Sequence, residues 1–180
     1  MNGVRYLRFG NDLDYATNTF APNFTGSPDE LHYRINIVNN LVGYQTGGRI
    51  DYCLCKYVSA YAATKMGIYG NNVTQHQCIS NSSGYAFINS PGAPANGQDY
   101  NFASNACRAS LVGELDFGLL LRFSRCWSMN LGVMAIGASG VALANNQFPT
   151  YYYDIDGAKH IKTNGDLFLT GGFATVNYNW

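Results

Sequence analysis

Between Arg108 and Trp127 the chain reads RASLVGELDFGLLLRFSRCW, with apolar and polar side chains in alternation. One parity carries Ala109, Leu111, Gly113, Leu115, Phe117, Leu119, Leu121 and Phe123. The other carries Arg108, Ser110, Val112, Glu114, Asp116, Gly118, Leu120 and Arg122. At about 100° per residue a helix would separate Glu114 from Asp116 and wrap the leucines around its axis, so this period of two predicts a strand. About sixteen residues at roughly 3.3 Å each make a strand on the order of 50 Å long, whereas an ordinary globular strand has about five or six residues. One apolar face opposite a face bearing both signs of charge suits a membrane barrel, with hydrocarbon on one side and water on the other. A long hairpin in a soluble barrel or sheet would show the same alternation.

The remaining pattern predicts about six antiparallel strands. VRYLRF (Val4 to Phe9) begins the first. From Leu31 to Tyr52, Val38, Val42, Tyr44, Ile50 and Tyr52 share one parity and Asn39, Gln45, Arg49 and Asp51 the other, although Ile37 and Leu41 blur it. From Tyr57 to Asn71, Val58, Ala60, Ala62, Met66 and Ile68 oppose Ser59, Tyr61, Lys65, Tyr69 and Asn71. After the opening strand, Trp127, Met129, Leu131, Val133 and Ala135 oppose Ser128, Asn130 and Gly132. Asp166 to Trp180 closes the chain, with Ala174, Val176, Tyr178 and Trp180 on one face and Thr175, Asn177 and Asn179 on the other.

Connections alternate in length. Gly10 to Glu30, Ile79 to Ala106 and Asn145 to Asn164, which includes Tyr151, Tyr152 and Tyr153, read as long polar loops; Cys53 to Lys56 and Ser124 to Cys126 read as short turns. Short turns on one side and long loops on the other are the asymmetry of outer-membrane barrels. Tyr52, Tyr57, Phe123, Trp127, Tyr178 and Trp180 fall near the turn-side strand ends, where an interfacial girdle is expected. A last strand ending on Val176, Tyr178 and Trp180 fits the signal read by the outer-membrane assembly machinery. Six strands fall short of the usual minimum of about eight. A curled or incomplete sheet, strands from further sequence, or a homo-oligomer that completes the ring are therefore all open.

Composition agrees with this class. Of 180 residues only 12% are charged, 20 are glycine, and aromatics are abundant. Eleven basic side chains balance eleven acidic ones, which gives no field for nucleic acid. No apolar run is long enough for a transmembrane helix. The amino end, MNGVRYLRFG, has no export signal pattern, so the chain is expected to be one barrel domain from the carboxyl-terminal part of something longer.

Little in the sequence points to catalysis or to a cofactor. His32, His76 and His160 fall in or beside loops on the long-loop side, where a His and Ser pair such as His76 with Ser80 or Ser82 would serve a hydrolase, although exposed loop histidines are the commoner case. Asp154-Ile-Asp156-Gly157 resembles part of a calcium loop but lacks its completing Glu. Five cysteines show no metal spacing. Cys78 and Cys107 bracket a long loop and would form a disulfide if their strands place them opposite each other.

GVRYLRF (Gly3 to Phe9), NNLVGYQTGGRIDY (Asn39 to Tyr52), TKMGIYGN (Thr64 to Asn71), LVGELDFGL (Leu111 to Leu119), GASGVALA (Gly137 to Ala144) and NGDLFLTGGFATVNY (Asn164 to Tyr178) resemble the bacterial family called beta-barrel porin-7. That resemblance implies an outer-membrane barrel of porin type, embedded in outer-membrane lipid. The expected function is passive diffusion of small hydrophilic solutes through a lumen lined by Arg49, Asp51, Lys65, Arg108, Glu114, Asp116 and Arg122. Glu114 and Asp116 are expected to balance Arg108, Arg122, Lys65 and Arg49 across that lumen. The alternative is a closed surface barrel that binds or adheres through its long loops.

Overall fold

Alternation this long produces strands to match. The computed structural model describes residues 1–18, 30–151 and 154–178. Its strands are β1 (Asn2–Asn18), β2 (Glu30–Cys55), β3 (Val58–Asn81), β4 (Gly84–Tyr85), β5 (Asn101–Arg122), β6 (Trp127–Val141) and β7 (Gly165–Tyr178). The six long ones pair antiparallel in the order β1-β2-β3-β5-β6-β7, with β4 a short flap beside the end of β3. The sheet curls into half a barrel. β2, β3 and β5, at 26, 24 and 22 residues, are far longer than a soluble sheet needs.

Both short turns stand where the sequence predicts them, after Cys55 and after Arg122, and the long connections lie at the opposite end. Two predicted loops begin or end as strand. β1 continues through Asn18, pairing Asp12 with Asn36 and Asn18 with Glu30, and β5 starts at Asn101 opposite Cys78. These stretches are crowded with turn-forming polar residues, and their few apolar positions, Leu13 and Tyr15 in β1 and Phe102 in β5, are too sparse to announce a strand although the backbone ladder continues. The rest of the first predicted loop, like Tyr152, Tyr153 and Trp180, lies outside the described residues.

Strand geometry sorts the side chains as expected. On the convex face Leu111 and Phe117 are 58% and 53% exposed, and Val4, Tyr44, Ile68, Val133 and Val176 are exposed too. On the concave face Glu114 and Asp116 keep only 5% and 9%. The convex apolar band ends toward the long loops at a register row of Arg8, Asn40, Asn72 and Cys107. Beyond that row the convex face is polar, with Arg34, Asn36, Thr74, His76 and Asn105.

Concave packing depends on glycines beside aromatic rings. A Cβ on Gly118 would lie 2.6 Å from the Tyr61 ring, and one on Gly43 would lie 2.5 Å from the Tyr69 ring. Each ring lies over a neighbouring backbone that only glycine leaves bare, which lets the sheet curl tightly. Gly118→Ala is expected to displace Tyr61 and destabilise the sheet by about 1–3 kcal/mol, an overpacking cost. Denaturant titration followed by the β-sheet circular dichroism signal would measure it.

Candidate functional site on the concave face

The concave face has two zones, one ionic and one packed. In the ionic zone, β3 and β5 set Lys65 directly opposite Glu114. Glu114 accepts hydrogen bonds from Lys65 and from Arg5, which reaches over from β1, two strands beyond β3. Lys65 Nζ also lies 3.4 Å from Asp116. Arg49 forks onto Asp51 at 2.7 and 3.0 Å and stacks 4.0 Å above the Tyr61 ring. Arg122 donates to Ser59 Oγ at 3.0 Å, near the short-turn end.

All seven predicted lining residues share the concave parity, but their pairing differs from the expected charge balance. Glu114 and Asp116 are neutralised by Lys65 and Arg5. Arg49 serves Asp51, Arg122 binds a hydroxyl, and Arg108 donates to the Cys107 carbonyl at 3.4 Å. Arg5 is the member that sequence reasoning missed. Its parity in VRYLRF is concave, but only the curl of the sheet brings it to Glu114. Buried charges of this kind need partners on every side, since one left alone costs several kcal/mol.

The packed zone lies toward the long loops. After β6 the chain folds back onto the concave face through a 3-10 turn (Ala144–Asn146) and the short helix α1 (Ile155–Lys159). Ala142, Ala144 and Ile161 pack on Ile35, Ile37 and Val73. Ile155 and Ala158 meet Ile88, Tyr100 and Phe102, which draws the β3–β5 connection over the top. Burial pushes the Tyr100 phenol above its ordinary value, opposed by its hydrogen bond with Tyr33. Buried amides hold the returning backbone. Asn39 donates to the Ala142 carbonyl at 2.9 Å and accepts from its N–H at 3.0 Å, and Gln75 donates to the Ala158 carbonyl at 2.8 Å. The predicted loop from Asn145 to Asn164 is therefore a folded insert. Its sequence signal was the apolar break that Ile37 and Leu41 make in the concave parity of β2.

The disulfide expectation is corrected. Cys78 stands opposite Asn101 and Cys107 opposite Asn72, and both thiols are free. That register separates them by roughly 20 Å along the ladder, whereas bridged Cα atoms lie within about 7 Å. His76 meets Asn101 at 2.9 Å, so it forms no pair with Ser80 or Ser82. Asp154 caps α1 by accepting from the Gly157 N–H at 2.9 Å, a role that already accounts for the acidic turn. Val176 and Tyr178 stand exposed on the convex face at the turn end, beside Trp127.

Comparison with protein-family models, with curated proteins and with solved structures finds no match for this chain. Reaction with a maleimide under non-reducing conditions is expected to modify exposed Cys107 quickly and buried Cys78 slowly, with no Cys78–Cys107 peptide in the digest by mass spectrometry. A cross-linked peptide would contradict the register.

Proposed function

We propose that this chain forms part of the wall of a β-barrel in a bacterial outer membrane, and that the barrel passes small hydrophilic solutes, as its resemblance to the beta-barrel porin-7 family implies. The observation that carries this reading is the sidedness of β5, where Leu111, Leu115, Phe117 and Leu119 face outward while Glu114 and Asp116 are buried with Lys65 and Arg5. A sheet folding in water gains by burying the leucines and hydrating the carboxylates. In a bilayer the preference reverses.

The dimensions agree. On β3 the apolar convex run from Val58 to Ile68 covers about 33 Å of strand, which at a tilt of about 40° gives the band of about 25 Å typical of outer-membrane barrels. Exposed Tyr52, Tyr57, Phe123, Trp127 and Tyr178 ring the turn end, where an interfacial girdle belongs. Val176 and Tyr178 are the described part of a terminal strand suited to the assembly machinery. Inside, Arg5, Arg49, Lys65, Arg108 and Arg122 outnumber Asp51, Glu114 and Asp116, which favours anions. Buried oxygens of Asp116 and Asn130 have no protein hydrogen-bond partner, as a hydrated interior allows.

The folded insert favours a second reading, a closed barrel that binds through its loops. A pocket of about 680 Å³ between the β3–β5 connection and α1, lined by Ser90, Gln98, Tyr151, Asp156 and Lys159 among others, gives that reading a place. Conductance in planar bilayers separates the two. The assembled protein is expected to pass small, anion-preferring current steps, and Arg108→Glu to weaken that preference without breaking an ion pair. Absence of current from the wild type and from Gln75→Ala/Gln77→Ala, which loosens the insert, would defeat the pore reading. Current only in the double variant would favour the closed barrel.

A further inference from the structure

Two walls from distant parts of the chain meet at the long-loop end. One is the β3–β5 connection, which folds on itself through backbone bonds from the Ile88 N–H to the Gln98 carbonyl at 2.9 Å and from the Gly97 N–H to the Ile88 carbonyl at 2.7 Å. Gly92 and Gly97 stand at φ +91° and +80°, which lets it turn back so tightly. The other is α1, seated through Ile155 and Ala158 on Ile88, Tyr100 and Phe102. Between them lies the pocket of about 680 Å³, within the range of about 300–1,000 Å³ usual for small-molecule sites. Both walls are held from behind, so the pocket is formed before any ligand arrives. Ala93, Pro94 and Ile155 give it apolar surface, Tyr151 an exposed ring, and Ser90, Gln98, Asp156 and Lys159 polar groups. Gln98, Asp156 and Lys159 are exposed and make no side-chain hydrogen bond or ion pair among the described residues. The fold uses none of the three.

We propose that this pocket binds a neutral carbohydrate, in units of one or two sugar rings. The inference names a ligand class for the reading in which the loops bind, and it rests on that reading, though not on whether the barrel is closed. The lining narrows the choice. A phosphate or sulfate ester would find one ammonium, Lys159, against two carboxylates, Asp154 and Asp156, and no arginine lines the pocket. An apolar ligand would strip water from Gln98, Asp156 and Lys159 and return no hydrogen bonds. An amino-acid zwitterion would occupy Asp156 and Lys159 but leave Ser90 and Gln98 idle. A sugar hydroxyl both donates and accepts, so one ring carries partners for the carboxylate, the ammonium, the amide and the serine hydroxyl together. Its C–H face has the Tyr151 ring to lie against.

The test is saturation-transfer NMR of the full chain in lipid nanodiscs, with folding checked by circular dichroism. Maltose, cellobiose and lactose are titrated, with alanylalanine as the zwitterionic rival and inorganic phosphate as the anionic one. At least one disaccharide is expected to bind, and neither rival. Gln98→Ala and Asp156→Ala, at exposed positions that hold neither wall, should each weaken that sugar about tenfold, while Asn105→Ala on the convex face should leave it unchanged. No transfer to any of the three sugars, binding of alanylalanine or phosphate in their place, or a sugar affinity unmoved by both pocket variants would overturn the proposal. Its failure is separable from that of the closed barrel. Planar-bilayer current from protein that binds sugar would remove the closure and keep the ligand, whereas a silent barrel that ignores all three sugars would do the opposite.

Discussion

A strand alternates its side chains and exposes its backbone on both edges, and the whole of this protein follows from meeting both conditions at once. Continuous ladders of paired N–H and C=O groups hold β2, β3 and β5 together over more than twenty residues each. Because the ladder satisfies the backbone, side-chain chemistry is free to differ completely between faces. Leu111, Leu115 and Leu119 of β5 gather on the convex side with Met66, Ile68 and Val133, and the ionic groups gather on the concave side.

The concave face then divides its own work. Where Lys65, Glu114, Asp116 and Arg5 meet, charge is buried in a network, and removal of any one member leaves another uncompensated. Where Ile35, Ile37 and Val73 stand, the same parity is apolar and receives the folded insert. Asn39 and Gln75 bridge the two kinds of surface. They are polar enough to satisfy the insert's backbone and fully enclosed once it is in place. The concave face is thus ionic toward the short turns and packed toward the long loops.

Most of the sheet is legible in the sequence because alternation is a local signal. The parity of Leu111 to Leu121, of Val58 to Ile68 and of Trp127 to Ala135 can be read from neighbouring residues, as can the two short turns. What escapes is everything set by curvature or by contacts far along the chain. Arg5 finds Glu114 across two intervening strands, and the insert finds Asn39 about a hundred residues away, |i−j| = 103. The ends of β1 and β5 read as loop because turn-forming residues outnumber the apolar Leu13, Tyr15 and Phe102 there, while the ladder is held by backbone hydrogen bonds. The Cys78–Cys107 pairing assumed a register that the ladder does not have. Ile37 and Leu41 did carry a signal, since apolar residues on a polar face mark where something must cover them.

The central claim is that the convex face meets lipid and the concave face meets water. Single cysteines at positions 114 to 119, introduced into the reconstituted protein after the native cysteines are replaced by serine, can carry a fluorophore that reports the contact directly. Quenching by brominated acyl chains should be strong at 115, 117 and 119 and weak at 114, 116 and 118, with iodide in the aqueous phase giving the reverse order. Equal quenching at all six positions, or lipid contact at 114 and 116 with protection at 115 and 117, would contradict the account.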